Sequence, residues 1–122
     1  MKVFKGDTNF PELLPETEWW DVDVITCAAP NLRNVPSNRM NPNAGSKKAD
    51  ISYDSLRVLH TARIQRIFEV AMANKAEVLI LGAFGCGAFC NPPKSVAEVF
   101  AELTGKYREC FDVIEYAVSI QN

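Results

Sequence analysis

The spacing of hydrophobic and polar residues changes along the chain, and each spacing predicts a different element. Apolar residues in 54–74 recur every three or four positions, which places them along one side of a helix. Residues 21–27 combine β-branched residues with alternation and predict a strand that ends before Pro30, because proline cannot donate to a sheet ladder. Residues 77–81 form a short apolar run, which is typical of a strand covered on both faces of a parallel sheet.

Three further segments complete the two ends of the chain. Residues 2–5 predict a short opening strand, and the proline-containing residues 9–20 predict an irregular connection. Residues 111–120 are rich in Val, Ile, Tyr and Ala and predict a final strand.

The remaining two segments are a loop and a helix. Residues 31–50 carry several asparagines and almost nothing apolar, so they predict a long flexible loop. Asn91 followed by two prolines has the pattern of a helix N-cap, and the helix that it opens is expected to end before Gly105.

The order of these elements predicts the α/β class with a parallel sheet in a single domain, residues 1–122. Four strands and two long helices make a thin structure, because a sheet buried on both faces needs more helices than these. Either a partner covers the remainder, or part of the domain is missing.

Composition narrows the kinds of partner. The chain has 122 residues, 48% of them hydrophobic, and a formal net charge of -2, so no broad basic face is available for duplex nucleic acid. An anionic ligand must therefore be held locally. The sequence has neither a membrane-spanning apolar run nor a signal-like start, and we expect a cytoplasmic protein with no membrane partner and four reduced cysteines.

A glycine-rich loop carries the candidate chemistry. It follows the apolar strand at 77–81 and precedes the second helix, which is where ligands collect in open α/β sheets. Gly82, Gly85 and Gly87 allow positive φ and a close approach of ligand to the backbone, and successive N–H groups at a helix start favour phosphate. The alternative is that these glycines only permit close packing of strand and helix. The spacing matches neither a dinucleotide-binding fingerprint nor a P-loop.

The loop and its surroundings resemble a known family. Residues 79–89 read Leu-Ile-Leu-Gly-Ala-Phe-Gly-Cys-Gly-Ala-Phe, and Asn-Pro-Pro follows at 91–93. This sequence resembles the microbial-type poly(ADP-ribose) glycohydrolase family of macrodomains. The similarity covers nearly the whole chain, including residues 24–31, 63–71, 96–100 and 111–117.

The resemblance implies a macrodomain-like three-layer α/β/α fold with a mostly parallel sheet, here incomplete, that binds ADP-ribose or a related nucleotide diphosphate. In the family this loop wraps the diphosphate, with Phe89 near the distal ribose. No cofactor and no metal are implied. The implied ligand-binding residues are Gly82, Ala83, Phe84, Gly85, Cys86, Gly87, Ala88, Phe89 and Asn91.

The family's catalytic segment is missing from this sequence. Members hydrolyse a glycosidic bond with a Gly-Gly-Gly segment followed by Gln-Glu-Glu, and neither occurs here. The chain therefore looks like the ADP-ribose-binding, carboxyl-terminal half of the family, without a catalytic residue. Two alternatives stay open: an active glycohydrolase completed by another segment or chain, and a non-enzymatic, self-associating module. Cys90 is a second departure, because the family usually has glycine there.

Several other residues have two interpretations. A zinc site from Cys27, Cys86 and Cys90 is disfavoured, since structural zinc sites show paired ligand clusters. Each cysteine is expected to be a small apolar thiol; the alternative for Cys86 is a reactive thiol, because loop amides and the helix start would lower its pKa. His60 is expected to be a packed core histidine rather than a base.

The charged residues of the two helices are expected to be structural. Arg63 and Arg66 are interpreted as facing solvent or pairing with Glu69. Glu98 and Glu102 are interpreted as a solvated helix face rather than an acid pair.

Overall fold

The computed structural model describes residues 1–119 and has a mixed helix and strand architecture. The α/β class predicted from the sequence is confirmed. In chain order the elements are β1 (Lys2–Val3), a 3-10 helix (Glu16–Glu18), β2 (Trp20–Asp21), α1 (Tyr53–Ala73), β3 (Val78–Gly82), α2 (Pro93–Tyr107), a second 3-10 helix (Arg108–Cys110) and β4 (Val113–Ala117).

β3 and β4 form the parallel sheet that the sequence predicts. Their register runs from Val78 opposite Val113 to Gly82 opposite Ala117. β4 is shorter than the predicted strand at 111–120, and residue 120 of that prediction lies outside the described residues. The carboxyl ends of both strands therefore lie side by side, next to the glycine loop.

Only one face of this sheet is covered within residues 1–119. Leu79 and Leu81 are buried, whereas Val78 and Ile80 are 53% and 65% exposed. The prediction that this strand is covered on both faces is wrong for the described residues. An apolar run shows that a strand can be buried on both faces, but the chain places both helices on the same side.

The core lies between the covered sheet face and the two helices. Phe68 of α1 is fully buried, stacks on Tyr107 at 5.4 Å between ring centroids and meets Phe111 edge-on at 6.2 Å. These aromatic contacts join α1, the end of α2 and the segment leading into β4. The other core residues are Ile64, Ala71, Leu79, Leu81, Val96, Val99, Phe100 and Leu103.

α1 confirms the helix predicted from periodicity at 54–74. The hydroxyl of Ser52 caps its start by accepting from the Ser55 N–H at 3.2 Å. Its end has two backbone bonds, from Lys75 N–H to the Met72 carbonyl and from Ala76 N–H to the Ala71 carbonyl, with Lys75 at φ 56°. This is a Schellman ending, in which a non-glycine residue adopts the left-handed conformation.

α2 confirms the second predicted helix, but neither of its ends falls where predicted. Pro92 occupies the N-cap position, so the assignment of Asn91 as the cap is wrong. The helix also continues through Gly105 to Tyr107. Burial of Leu103 and Tyr107 on the core side explains the extension, because packing outweighs the low helix propensity of one exposed glycine.

The amino-terminal region differs most from the prediction. β1 pairs antiparallel with β2 over two residues each, and Lys5 forms only an isolated bridge with Leu13. The strand predicted at 21–27 is wrong except at Asp21, because residues 22–30 have no ladder partner within the described chain. Val24 in this segment is 59% exposed.

The segment predicted as a loop, residues 31–50, has no helix or strand, and an isolated bridge joins Asn38 to Asn41. Its beginning is anchored, since Leu32 is buried and donates its N–H to the Phe89 carbonyl at 2.9 Å.

No helix among residues 1–119 is long and apolar enough to span a bilayer.

An ion-pair cluster joins the two helices on their exposed side. The Arg57 guanidinium contacts Glu98 at 2.7 Å and Glu102 at 3.1 Å. Glu98 and Glu102 are partly solvated, as expected, but both also pair with a cation of α1. The Arg66–Glu69 pair, at 3.6 Å, follows the prediction from their spacing.

Candidate functional site

The glycine loop leaves β3 in two consecutive turns before α2 begins. The Cys86 N–H donates to the Ala83 carbonyl at 3.1 Å, and the Cys90 N–H donates to the Gly87 carbonyl at 3.0 Å. A third bond, from the Asn91 N–H to the Gly85 carbonyl at 2.9 Å, closes the two turns into one compact loop.

Gly85 is the position in this loop that requires glycine. Its φ is +69°, and an added Cβ would lie 2.5 Å from the Ala29 Cβ and even closer to the Asn91 side-chain nitrogen. Gly87 is different, because an added Cβ there would meet nothing within 4 Å. One glycine thus closes the loop, and the other leaves its outer surface open.

Asn91 holds the loop together from inside. Its side chain is 2% exposed, and its Nδ2 group donates to the Pro30 carbonyl at 2.8 Å, the Gly85 carbonyl at 3.0 Å and the Phe89 carbonyl at 3.4 Å. The side chain therefore binds the backbone of the glycine loop and of Pro30 rather than capping α2.

His60 is fully buried beside Asn91, as the sequence analysis expected of a packed histidine. Its Nε2 lies 2.8 Å from Asn91 Oδ1, and its Nδ1 lies 3.2 Å from the Ser95 hydroxyl. Phe84 meets the imidazole edge-on at 6.3 Å. Both ring nitrogens are satisfied, so the ring is not available as a base.

Arg63 anchors the neighbouring segment. Its guanidinium donates to the Ala28 carbonyl at 2.7 Å, and the Arg63 carbonyl accepts from the Cys27 thiol at 3.8 Å. Of the two interpretations, pairing with Glu69 is not seen, because Glu69 pairs with Arg66; the Arg63 guanidinium is exposed but also bound to backbone. A side chain of α1 reaches across to backbone 35 residues earlier, which local spacing cannot show.

A cleft of about 940 Å³ opens beside the loop, at the carboxyl ends of β3 and β4. Four of the nine predicted ligand-binding residues line it: Gly82, Ala83, Cys86 and Gly87. Apolar side chains of α2 and β4 form most of the opposite wall, among them Pro93, Val96, Ala97, Phe100, Ala101 and Tyr116.

The other five predicted residues do not line this cleft. Phe84 packs on the core, Gly85 and Asn91 are enclosed in the loop, and Ala88 and Phe89 lie on its side toward Arg33. The structure therefore divides the predicted set into cleft residues and residues that shape the loop.

Most backbone carbonyls of the glycine loop accept hydrogen bonds, whereas several of its backbone N–H groups do not donate any within the described chain. Within residues 1–119, the N–H groups of Gly87, Ala88 and Phe89 have no hydrogen-bond acceptor. Nearly all the carbonyls of the same loop accept a hydrogen bond. Those carbonyls belong to Ala83, Phe84, Gly85, Gly87, Ala88 and Phe89. The loop thus keeps successive free donors, which is the backbone arrangement that binds anions.

A cation that sequence reasoning missed lies beside these donors. The Arg33 Nε donates to the Ala88 carbonyl at 2.7 Å, and the guanidinium lies 5.0 Å from the centre of the Phe89 ring. Arg33 is 55 residues before Ala88. No periodicity or motif linked the two segments, so the sequence carried no signal for this contact.

Cys86 is a partly buried thiol that lines the cleft, and it is not activated. Burial raises the pKa of the Cys86 thiol above its ordinary value, and the thiol donates to the Phe84 carbonyl at 3.5 Å. The lowered pKa considered for a reactive Cys86 is therefore wrong. All four cysteines are free, and residues 1–119 contain no cluster of three side chains able to bind a metal.

The chain is similar to a solved poly(ADP-ribose) glycohydrolase over almost its whole length. The crystal structure of poly(ADP-ribose) glycohydrolase from Deinococcus radiodurans in complex with ADP-ribose matches this chain with a TM-score of 0.71 and 31% identity. The match covers 99% of this chain and 44% of that one, so the chain spans less than half of its neighbour. The family resemblance predicted from the sequence is confirmed. No protein-family model and no curated protein matches the sequence.

Replacement of Cys90 by glycine should stabilise the protein. Cys90 has φ +56°, a left-handed conformation that costs a residue with a Cβ about 1 kcal/mol relative to glycine. Cys90→Gly should therefore raise the free energy of unfolding in urea by about 1 kcal/mol. Cys90→Ala keeps the Cβ and is the control. Equal stability of the two variants would contradict the assignment of strain.

Alkylation should separate Cys86 from the exposed Cys110. A thiol with a raised pKa is less ionised at a given pH, and the thiolate is the reactive form. Iodoacetamide at neutral pH should modify Cys110 at least about tenfold faster than Cys86, measured by peptide mass spectrometry, because burial also restricts access. In urea the two rates should converge. Faster modification of Cys86 in the folded protein would overturn this prediction.

Proposed function

We propose that this chain binds ADP-ribose, with the diphosphate on the glycine loop. The main support for this proposal is that successive free N–H groups lie beside a large cleft at the carboxyl end of a parallel sheet. The similar Deinococcus radiodurans protein was solved with ADP-ribose. A cleft of about 940 Å³ is within the range of small-molecule sites.

The two parts of the site suit the two parts of such a ligand. A diphosphate accepts hydrogen bonds, and the N–H groups of Gly87, Ala88 and Phe89 have no other acceptor within residues 1–119. The apolar wall of α2 and β4, including Val96 and Phe100, suits the flat faces of a nucleoside. Of the nine residues implied by the family, Gly82, Ala83, Cys86 and Gly87 would contact the ligand from the cleft, and the backbone N–H groups of Ala88 and Phe89 would contact its diphosphate at the edge of the cleft.

The affinity for the diphosphate would come from directed hydrogen bonds and not from the net charge of the protein. The net charge of the chain is -2, which does not attract an anion over a distance. Amides held in place cost no reorganisation when the anion arrives, and Arg33 adds one positive charge beside the loop.

We propose binding without hydrolysis for this chain alone. Protonation of the leaving oxygen in glycoside hydrolysis needs a positioned carboxylic acid. The Gly-Gly-Gly and Gln-Glu-Glu segments do not occur in the sequence, and Glu98 and Glu102 are paired with Arg57. Release of ADP-ribose from a modified protein by this chain alone would instead support an active hydrolase.

Calorimetric titration tests the proposed site. The wild-type chain should bind ADP-ribose, and Gly87→Glu should weaken binding at least about tenfold, because a carboxylate would face the diphosphate and occupy the cleft. A side chain at Gly87 has room, so the variant should fold. The matched control is Gly105→Glu, also at a glycine with open surroundings. No binding by the wild-type chain would reject the proposed function.

The uncovered sheet face favours a second candidate, a self-associating module. Val78 and its register neighbour Val113 are 53% and 46% exposed, and Ile80 adds to the same apolar face. A second copy packed on this face would supply the third layer of the macrodomain-like fold. Exposed apolar sheet surface of this kind is typical of an interaction site.

Sedimentation equilibrium tests self-association. The wild-type chain should form dimers whose fraction rises with concentration, and Val78→Lys should reduce dimerisation at least about tenfold by burying a charge in the interface. Val58→Lys is the matched control, since Val58 is 71% exposed on α1 away from the sheet. A folded wild-type monomer at all concentrations would rule out this candidate.

A further inference from the structure

The buried His60–Asn91 pair links the long helix α1 to the loop that carries the proposed ligand site. His60 is 0% exposed and Asn91 is 2% exposed, and neither contacts the cleft. We propose that both are positioning residues, which fix the shape of the glycine loop and thereby its affinity for a diphosphate; this inference rests on the proposed function.

The contacts of Asn91 determine the orientation of its amide. Nδ2 faces two carbonyl oxygens at 2.8 and 3.0 Å, those of Pro30 and Gly85. A flipped amide would place Oδ1 against these oxygens and lose both hydrogen bonds. Oδ1 must therefore face His60, whose Nε2 lies 2.8 Å away.

The orientation of Asn91 in turn fixes the tautomer of His60. Since Oδ1 can only accept, Nε2 carries the proton and donates to it. In the neutral ring Nδ1 then accepts from the Ser95 hydroxyl at 3.2 Å, and Ser95 is itself fully buried in the first turn of α2. A chain of three side chains thus runs from α2 through α1 to the loop.

The hydrogen-bonded side chains of Ser95, His60 and Asn91 hold both ends of the segment that contains the free N–H groups. The Asn91 amide contacts the carbonyls of Gly85 and Phe89, which flank the donors at Gly87 and Ala88. The Asn91 backbone N–H also donates to the Gly85 carbonyl. Loss of the side-chain amide would remove its hydrogen bonds at both ends of this segment, and the donors would then have to be ordered when a ligand binds.

Two kinds of variant separate positioning from simple core stability. Asn91→Asp keeps the size but puts a carboxylate oxygen against the Pro30 and Gly85 carbonyls. His60→Leu removes the donor to Asn91, whereas His60→Gln can return an N–H to the same acceptor. Asn91→Asp and His60→Leu should weaken ADP-ribose binding at least about tenfold, and His60→Gln should recover most of the loss.

A ligand-free measurement accompanies the titrations. The backbone ¹H–¹⁵N resonances of Gly85, Gly87 and Phe89 should shift in Asn91→Asp and His60→Leu and return toward wild-type values in His60→Gln. Phe111→Leu is the stability control, because Phe111 packs in the core at the opposite end of β4. It should lower the free energy of unfolding without changing loop resonances or affinity.

The outcomes distinguish this inference from the proposed function. Absence of ADP-ribose binding by the wild-type chain rejects the proposed function, and the loop resonances then decide the positioning role alone. Folded Asn91→Asp and His60→Leu proteins with wild-type loop resonances would overturn the inference, as would equal weakening of binding by Phe111→Leu. If Asn91→Asp does not fold, the His60→Leu and His60→Gln pair decides.

Discussion

A buried amide must have all its hydrogen bonds satisfied, and this requirement at Asn91 organises the functional end of the molecule. Its side chain joins the Pro30 carbonyl, the glycine loop and His60 of α1 at one point. The absence of a Cβ at Gly85 is what lets Asn91 lie so close to the loop. The segment before residue 31, the loop and both helices therefore depend on the same small set of polar contacts, since an unsatisfied buried group costs about 1–3 kcal/mol.

The apolar core has a different task from this polar centre. Phe68, Tyr107 and Phe111 pack at the end of the sheet away from the glycine loop and hold the helices on one face. The hydrogen bonds of Asn91 and His60 hold the loop itself. The loop is thus held by polar contacts on its inner side, and the cleft beside it stays open.

The sequence predicted α1 and α2 from the spacing of their apolar residues, and β3 and β4 from short runs rich in apolar residues. Their formation depends on local spacing and on one apolar face, both of which are visible in the chain. The strand at 21–27 failed because a ladder needs a neighbour, and the described residues supply none. Asn91 failed as a cap because its partners, Pro30 and His60, lie 61 and 31 residues away.

The sequence predicted which segment forms the candidate site, but not how the residues of that segment are arranged in space. The glycine spacing and the order of the elements located the loop. The different surroundings of Gly85 and Gly87, and the contact between Arg33 and Ala88, are visible only in the three-dimensional structure. The missing information is tertiary in each case.

The unequal use of the loop's backbone groups also bears on counter-ions. A divalent cation that accompanies phosphates needs oxygen ligands. The carbonyl oxygens of Gly85, Gly87, Ala88 and Phe89 are already engaged, so they offer little to such an ion. Any cation that accompanied a bound diphosphate would therefore take its oxygen ligands from the phosphates and from water rather than from these loop carbonyls.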